Sequence, residues 1–307
     1  GVLVAFLSYV TRFFQPIQEL SRIYTTMQSA MAGGEQVLSL LARPVGVADG
    51  AEAEEMPTVV GKIELEGVYF RYGEEGEWIL KGVDLVVGAG QTVALVGPTG
   101  AGKTTLAKLM PRFYEVDEGV VRVDGRDVRT VTQASLRRQF GLVPQDPFLF
   151  AGTIADNLRF GCPGATDEEM VAAAKVSNAH DFIERLPQKY ETVLLEGAVN
   201  LSVGQRQLLC IARAALADPK VLILDEATAN VDTVTEVLIQ EALERLMGGR
   251  TTIVIAHRLS TIRQADMICV VQAGEIVARG RHGELLAESD LYRGLYERQF
   301  MTMGDGV

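Results

Sequence analysis

Residues 97–105 read Gly-Pro-Thr-Gly-Ala-Gly-Lys-Thr-Thr, and this stretch decides which fold the rest of the chain should adopt. The spacing of a phosphate-binding loop is met at Gly97, Gly102, Lys103 and Thr104. A strand-like apolar run, Thr92–Val96, leads into the loop, and a helix-like run over residues 104–110 leaves it. In that context glycines let the backbone curl around an anion, with its amides pointing inward. The stretch therefore predicts a phosphate site in an α/β fold.

The polar side chains of this loop have definite expected roles. Lys103 would reach the outer phosphates of a nucleotide, and the Thr104 hydroxyl would bind Mg²⁺. The residues expected to bind the nucleotide here are Gly97, Pro98, Thr99, Gly100, Ala101, Gly102, Lys103, Thr104 and Thr105. The alternative is a glycine-rich turn with a chance lysine, which the flanking strand and helix disfavour.

Composition and charge narrow the classes of function. The 307 residues carry a formal net charge of −11, which argues against nucleic acid as a partner, because that partner needs a basic face. The three cysteines are far apart in the sequence, and with only three histidines no zinc site is expected. Sparse, unpaired cysteines are typical of a reducing, cytosolic setting.

An amphipathic helix is predicted at the start of the chain. Apolar side chains recur there at spacings of four and three, at Phe6, Val10, Phe13, Ile17, Leu20, Tyr24, Met27 and Met31. The helix should end at Arg43-Pro44, because the residue before a proline disfavours helix. The opening apolar run is shorter than the ~20 residues that span a bilayer. An ordinary docked helix and the cytoplasmic end of a membrane helix both remain open. The start at Gly1, without a methionine or a signal peptide, suggests a fragment.

After this helix the residue pattern of the sequence changes several times. Residues 44–60 are small, acidic and aperiodic, which indicates a linker. A period-two pattern then predicts strands over residues 63–70 and a second strand pair over 78–87, with a hairpin at Asp124-Gly125. Residues 133–217 look largely helical, with loops at 144–152 and 188–199.

Apolar strands return in the last third, over residues 221–224, 251–256 and 267–271. Strands that alternate with helices imply a mostly parallel sheet, in which ligands bind beyond the carboxyl ends of the strands. Asp225-Glu226 and His257 follow two of these strands directly. Asp225 would complete a magnesium site opposite the phosphate loop, and Glu226 would point at the water that attacks the γ-phosphate.

Taken in order, these landmarks resemble the ATP-binding domain of ABC transporters, in particular the exporter type. Leu201-Ser202-Val203-Gly204-Gln205 stands at the family signature, which is normally Leu-Ser-Gly-Gly-Gln. The resemblance covers about residues 61–300. Its other landmarks are the adenine-stacking Tyr72, the Q-loop glutamine Gln145, the D-loop at Ala229-Asn230-Val231-Asp232 and the switch histidine His257.

The resemblance implies an architecture. It is an α/β fold, with a P-loop NTPase (RecA-like) core and mostly parallel sheet, an antiparallel β subdomain and a helical subdomain, preceded by the long amphipathic helix. Residues 1–43 would be the cytoplasmic end of the last transmembrane helix, 44–60 a linker, and 61–307 the ATP-binding domain, with its helical subdomain at about 146–218. The transmembrane domain of the same chain would be missing here. The protein would lie at the plasma (inner) membrane, with this portion on the cytoplasmic side.

The resemblance also implies a reaction, the hydrolysis of ATP to ADP and phosphate with Mg²⁺, coupled to transport of an unidentified substrate. The implied catalytic residues are Glu226, His257, Lys103 and Gln145. The implied ligands of Mg²⁺ are Thr104, Gln145 and Asp225. Ser202, Gly204 and Gln205 would contact the nucleotide held by a second ATP-binding domain.

The signature departs from the family at Val203, which replaces a glycine. A β-branched residue cannot adopt glycine-only backbone angles and adds bulk, so this signature should be a weaker wall for its partner's ATP. We therefore expect a heterodimer whose second chain has a regular signature and an altered carboxylate at the position that corresponds to Glu226. A homodimer with two equal, slower sites is the rival.

Two other classes of function remain as alternatives. A soluble ABC-type ATPase acting on nucleic acid or the ribosome is disfavoured by the acidic charge and by the amphipathic helix. A small-molecule kinase would leave the signature unexplained.

Overall fold

The computed structural model describes residues 1–43, 45–73, 75–225, 232–256 and 259–297, apart from the side chain of Ser260. The contacts within the chain divide it into two compact units, Gly1–Gly46 and Val47–Val307. The smaller unit is built on one helix, and the larger unit contains the sheets.

The helix of the smaller unit, α1, runs over Val2–Leu41 and confirms the long N-terminal helix expected from the apolar periodicity. It continues through Pro16 and through the glycine pair at 33–34, and it ends at Leu41, two residues before Arg43. Pro16 cannot donate an amide hydrogen bond, so the helix runs on with one bond fewer at that turn. In the part of the chain that the structure describes, every helix falls short of the length or the apolarity needed to cross a bilayer.

The larger unit alternates strands with helices. Its strands are β1 (Ile63–Phe70), β2 (Leu80–Val87), β3 (Thr92–Val96), β4 (Glu118–Val123), β5 (Arg126–Asp127), β6 (Phe140–Val143), β7 (Gly152–Thr153), β8 (Val193–Leu194), β9 (Val221–Asp225), β10 (Thr251–Ile255), β11 (Met267–Gln272) and β12 (Glu275–Gly280). Its helices are α2 (Lys103–Leu109), α3 (Gln133–Arg137), α4 (Ile154–Arg159), α5 (Asp167–Val176), α6 (His180–Glu184), α7 (Val203–Leu216), α8 (Thr233–Met247), α9 (Leu259–Gln264), α10 (His282–Glu288) and α11 (Asp290–Tyr296). Short 3-10 turns lie at Val128–Thr130, Lys189–Glu191 and Glu196–Ala198.

A six-stranded sheet forms the centre of the described part of this unit, in the order β12-β11-β3-β10-β9-β6. Neighbouring strands from β11 to β6 are parallel, and β12 joins antiparallel at one edge. Strand β3, which leads into the phosphate loop, and β9, which ends at Asp225, therefore flank β10. All three present their carboxyl ends at the same edge, which is where ligands bind in parallel sheets.

Successive side chains of a strand point to opposite sides of the sheet, and an apolar cluster covers each of the two faces. Along β3, Ala94 and Val96 pack into one apolar cluster with α7 and α8. Val93 and Leu95 pack into a second cluster, with α2 and the antiparallel sheet β2-β1-β4-β5. These layers are the mostly parallel core, the antiparallel β layer and the helical part expected from the sequence.

Two local expectations about strands need correction. Leu80–Val87 form one strand, β2, rather than a strand pair over residues 78–87, because Ile79 lies in a bend where its amide donates to the carbonyl oxygen of Phe70. Strand β6 lies inside the stretch that looked helical, at the sheet edge beside β9. Residues 47–60 of the segment expected as a linker belong to the larger unit, where Met56 and Val59 are buried in an apolar cluster.

Arg112 also holds that segment. Its buried guanidinium donates to the backbone oxygen of Ala48 at 2.9 Å and to Glu115 through Nε at 3.1 Å. It further contacts the carbonyl oxygens of Val128 and Val131. The chain just after Val47 is thereby tied to the turn that follows α2.

Candidate functional site

The phosphate loop connects β3 to α2, and its glycines are required by neighbouring atoms. A Cβ at Gly97 would lie 2.1 Å from the carbonyl oxygen of Val271, on the neighbouring strand β11. Gly102 caps α2 in a left-handed conformation, φ 103°, and a Cβ there would lie 2.9 Å from the Leu80 side chain. The loop can therefore hold this tight path only with glycine at both positions.

Lys103 is turned into the curve of this loop. Its Nζ donates to the carbonyl oxygens of Gly97 at 2.8 Å and Pro98 at 2.9 Å, and the residue is only 8% exposed. Burial lowers the pKa of this lysine below its ordinary value, and the nearby carboxylate of Asp225 acts in the opposite direction. The loop thus surrounds a partly desolvated cation, which is suited to binding an anion.

The three residues expected to bind Mg²⁺ line one cavity of about 290 Å³. Thr104 comes from α2, Gln145 from the loop after β6, and Asp225 from the end of β9. A hydroxyl, an amide oxygen and a carboxylate are hard oxygen donors, so the set fits Mg²⁺. The remaining lining residues are Ala107, Lys108, Phe113, Leu142, Pro144, Asp146, Ile223 and Ile255.

Two of the expected catalytic residues, Glu226 and His257, lie outside the described residues, as do D-loop residues 229–231. In the sequence, Glu226 directly follows Asp225, the last residue of β9, and His257 follows Ala256, next after β10. Their expected roles stay predictions.

Tyr72, the residue expected to stack on adenine, lies next to the phosphate loop. Its hydroxyl oxygen is 3.1 Å from the hydroxyl oxygen of Thr105, on α2, and its side chain remains 45% exposed. Two further aromatic rings, Phe70 and Tyr114, contact it. Tyr114 has no signal in the sequence that marks it as a site residue, since its nearness to Tyr72 arises only when β1 and the turn after α2 meet in the fold.

The signature opens helix α7. Ser202 caps the helix, its hydroxyl accepting from the backbone amide of Gln205, while the Gln205 side chain accepts from the amide of Ser202. Gly204 is buried. The signature residues are not among those that line the cavity at Thr104.

Val203 corrects one expectation. It is the first residue of α7 and keeps a helical backbone, so the position does not require glycine-only angles. The expected backbone strain is therefore wrong. The bulk of the Val203 side chain still matters, because Val203 remains partly exposed beside Ser202.

Comparison with known proteins assigns the family. Residues 80–229 match the family model described as ABC transporter. The chain carries an ABC transporter ATP-binding domain. In solved structures, a bacterial Atm1-family ABC exporter with ATP bound is similar to it, with a TM-score of 0.80 and 40% identity, over 98% of this chain and 52% of that one.

Curated relatives agree on the exporter type of this ABC domain. An uncharacterised ABC transporter ATP-binding protein of Bacillus subtilis is 51% identical over 98% of this chain and 50% of its own length. An ATP-dependent lipid A-core flippase of Syntrophus aciditrophicus is 45% identical over 98% and 50%. A fatty acid ABC transporter ATP-binding/permease protein of Mycobacterium tuberculosis is 46% identical over 95% and 46%. The chain spans about half the length of the curated relatives it matches.

The ABC domain is therefore a nucleotide-binding domain, of the kind that acts as an ATPase in exporters. These relatives give no support to the alternative of a soluble ATPase acting on nucleic acid or the ribosome.

Proposed function

We propose that this chain binds MgATP at the phosphate loop and hydrolyses it to power export of a substrate across a membrane. The observation that carries the proposal is the cavity at which Thr104, Gln145 and Asp225 converge, beside the buried Lys103. A cation and three oxygen donors at the carboxyl edge of a parallel sheet suit a nucleotide triphosphate with its metal.

In this proposal each group has one task. Lys103 offsets the charge of the outer phosphates, which grows on the leaving oxygen as the terminal phosphate departs. Glu226 orients the attacking water and accepts its proton, and His257 contacts the γ-phosphate. Bound Mg²⁺, held by Thr104, Gln145 and Asp225, would neutralise phosphate charge.

The other wall of the site comes from a second ATP-binding domain. Ser202, Gly204 and Gln205 of this chain would in turn contact ATP held by that partner. The exposed position of Ser202 at the start of α7 supports this role, because its side chain is open to a partner. Since Val203 adds bulk beside it, we propose that the partner is a different chain rather than a second copy.

The membrane domain is the second proposed partner. Phe148, Phe150 and Phe160 form an exposed aromatic patch in the helical part. The ring centroids of Phe148 and Phe150 are 5.0 Å apart, and those of Phe150 and Phe160 are 4.7 Å apart. Leu149, which lies between Phe148 and Phe150 in the sequence, is buried and takes no part in the patch. We propose that this patch receives a cytoplasmic segment of the membrane domain, and that α1 is the stalk leading to it. The chain would then work at the cytoplasmic face of the plasma (inner) membrane.

The test of hydrolysis uses Glu226→Gln. The variant should bind MgATP as the parent chain does and release no phosphate above background, because only the base for water is removed. The exposed Glu288→Gln is the matched control and should turn over normally. Unchanged phosphate release in Glu226→Gln would remove the assigned role of this carboxylate.

The test of pairing is the composition of the purified transporter. After expression of the complete gene and its neighbours, a heterodimer should elute with a second ATP-binding chain of different mass. A homodimer with full transport activity would exclude the heterodimer.

A further inference from the structure

Three aromatic side chains from two separate parts of the chain meet beside the phosphate loop. Phe70 ends β1, Tyr72 follows it, and Tyr114 comes from the turn after α2. The Tyr72 ring centroid lies 4.9 Å from that of Phe70 and 5.1 Å from that of Tyr114, with interplanar angles of 87° and 83°. Phe70 and Tyr114 are themselves 5.6 Å apart. The three rings form a closed triangle in which Tyr72 meets both neighbours at near right angles, a favourable arrangement.

The hydroxyl of Tyr72 supplies a third fixed point, through its 3.1 Å contact with the largely buried Thr105. Two ring contacts and one hydrogen bond therefore restrict rotation of this side chain. With 45% of its surface exposed, Tyr72 can still meet a ligand. A ring fixed before binding loses less freedom when the base arrives, which strengthens binding.

Of the two rings that hold Tyr72 in place, Tyr114 is the one without a role in the hydrophobic core. Phe70 is 4% exposed and belongs to the core of the β layer, whereas Tyr114 is 39% exposed and lies outside any helix or strand. Its position is nevertheless firm, since two residues earlier the buried Arg112 bonds to the carbonyl oxygens of Val128 and Val131.

We propose that Tyr114 is a positioning residue, which holds the ring of Tyr72 in the orientation that stacks on adenine. This inference rests on the proposed role of Tyr72 in binding ATP. Tyr114 acts through Tyr72 and makes no contact with the nucleotide itself. Its effect must therefore depend on the base and vanish when Tyr72 is absent.

The first test compares two ligands by calorimetry, MgATP and magnesium tripolyphosphate, which has phosphates but no base. Tyr114→Ala should weaken MgATP binding by about fivefold, since stacking of a base on an aromatic ring contributes roughly this much or more. Tripolyphosphate binding should not change. Tyr114→Phe, which keeps the ring, should bind MgATP within about twofold of the parent chain. Equal weakening for both ligands would show general damage to the loop and overturn the proposal.

A double-mutant cycle then tests whether Tyr114 acts through Tyr72. Tyr114→Ala should add nothing in a Tyr72→Ala background. Additive losses would mean that Tyr114 touches the nucleotide directly, and no loss in Tyr114→Ala alone would mean that Tyr72 needs no support; either result overturns the positioning role while leaving the adenine contact intact. If Tyr72→Ala itself binds MgATP normally, the adenine contact of the proposed function fails instead.

Discussion

The Nζ of Lys103 lies 2.8 Å from the carbonyl oxygen of Gly97, so the lysine spans the whole phosphate loop from its last turn to its first residue. The pair holds a cation at the centre of the loop, where the phosphates of a nucleotide would add stronger, charged acceptors. The same contact therefore fixes both the position of the cation and the path of the loop backbone.

Replacing this cation should weaken nucleotide binding. We expect Lys103→Met to weaken MgATP binding by at least about tenfold, the typical loss for a hydrogen bond to a charged group. Thermal stability should hardly fall, because methionine fills the space without a desolvated charge. The control is Lys175→Met on the exposed face of α5, which should bind normally. Calorimetry that finds equal affinity in both variants would contradict the role of Lys103.

Asp225 should control the metal-dependent part of binding. Asp225→Asn removes one negative charge from the proposed magnesium site, so added Mg²⁺ should strengthen ATP binding far less than in the parent chain. In EDTA the two proteins should bind ATP with similar affinity. Asp146→Asn is the matched control, since Asp146 lines the same cavity but follows no strand of the central sheet directly. An equal loss in both variants would mean that only the overall charge of the cavity matters.

Val203 should limit turnover through its bulk rather than through its backbone. With its helical conformation already suitable, Val203→Ala should recover most of the gain seen in Val203→Gly. We expect ATPase activity of the assembled transporter to rise about fivefold, which corresponds to roughly 1 kcal/mol of relieved contact. Val199→Ala, in the exposed loop before the signature, should not change turnover. A gain in Val203→Gly alone would restore the backbone explanation.

Arg112 should be important for stability. Arg112→Met would leave buried carbonyl oxygens and the Glu115 carboxylate without their donor, at a cost of about 2–4 kcal/mol in the free energy of unfolding. Urea unfolding monitored by circular dichroism measures this loss. The exposed Arg138→Met should unfold within about 0.5 kcal/mol of the parent chain. Similar midpoints for both variants would show that water replaces the guanidinium without penalty.

His282 gives the fold a pH dependence on the acidic side. Burial, assisted by the positive charge of Arg263, lowers the pKa of His282, whose Nδ1 lies 2.7 Å from the Tyr292 hydroxyl oxygen. The unfolded chain therefore binds this proton more readily, and stability should fall as pH drops below about 6.5. His282→Gln should show a shallower decline of Tm between neutral pH and about pH 5.5. Parallel declines in the two proteins would exclude a contribution from His282.

Most of the sheet could be predicted because its strands are apolar runs that end in a glycine or a polar residue, as at Gly97 and Asp225. Strand β6 was not predicted, since its four residues lie between helical stretches. The pattern of so short an apolar run does not distinguish a strand from a buried helix. The convergence of Thr104, Gln145 and Asp225 followed from the parallel topology and the family pattern. The contact between Tyr72 and Tyr114 had no local signal, because it is made by two loops that are neighbours only after folding.

Gly97 meets two requirements, one set by the sheet and one set by the phosphate loop, and evolution can separate them. Its missing Cβ leaves room for the backbone of Val271, and that requirement belongs to the sheet and persists whether or not a nucleotide ever binds. Lys103 has no comparable role in the sheet. We therefore expect that descendants of this domain which lose ATP binding will let the lysine drift to other residues while keeping the glycine. A survey of inactive homologues that varied both positions equally would refute this order of decay.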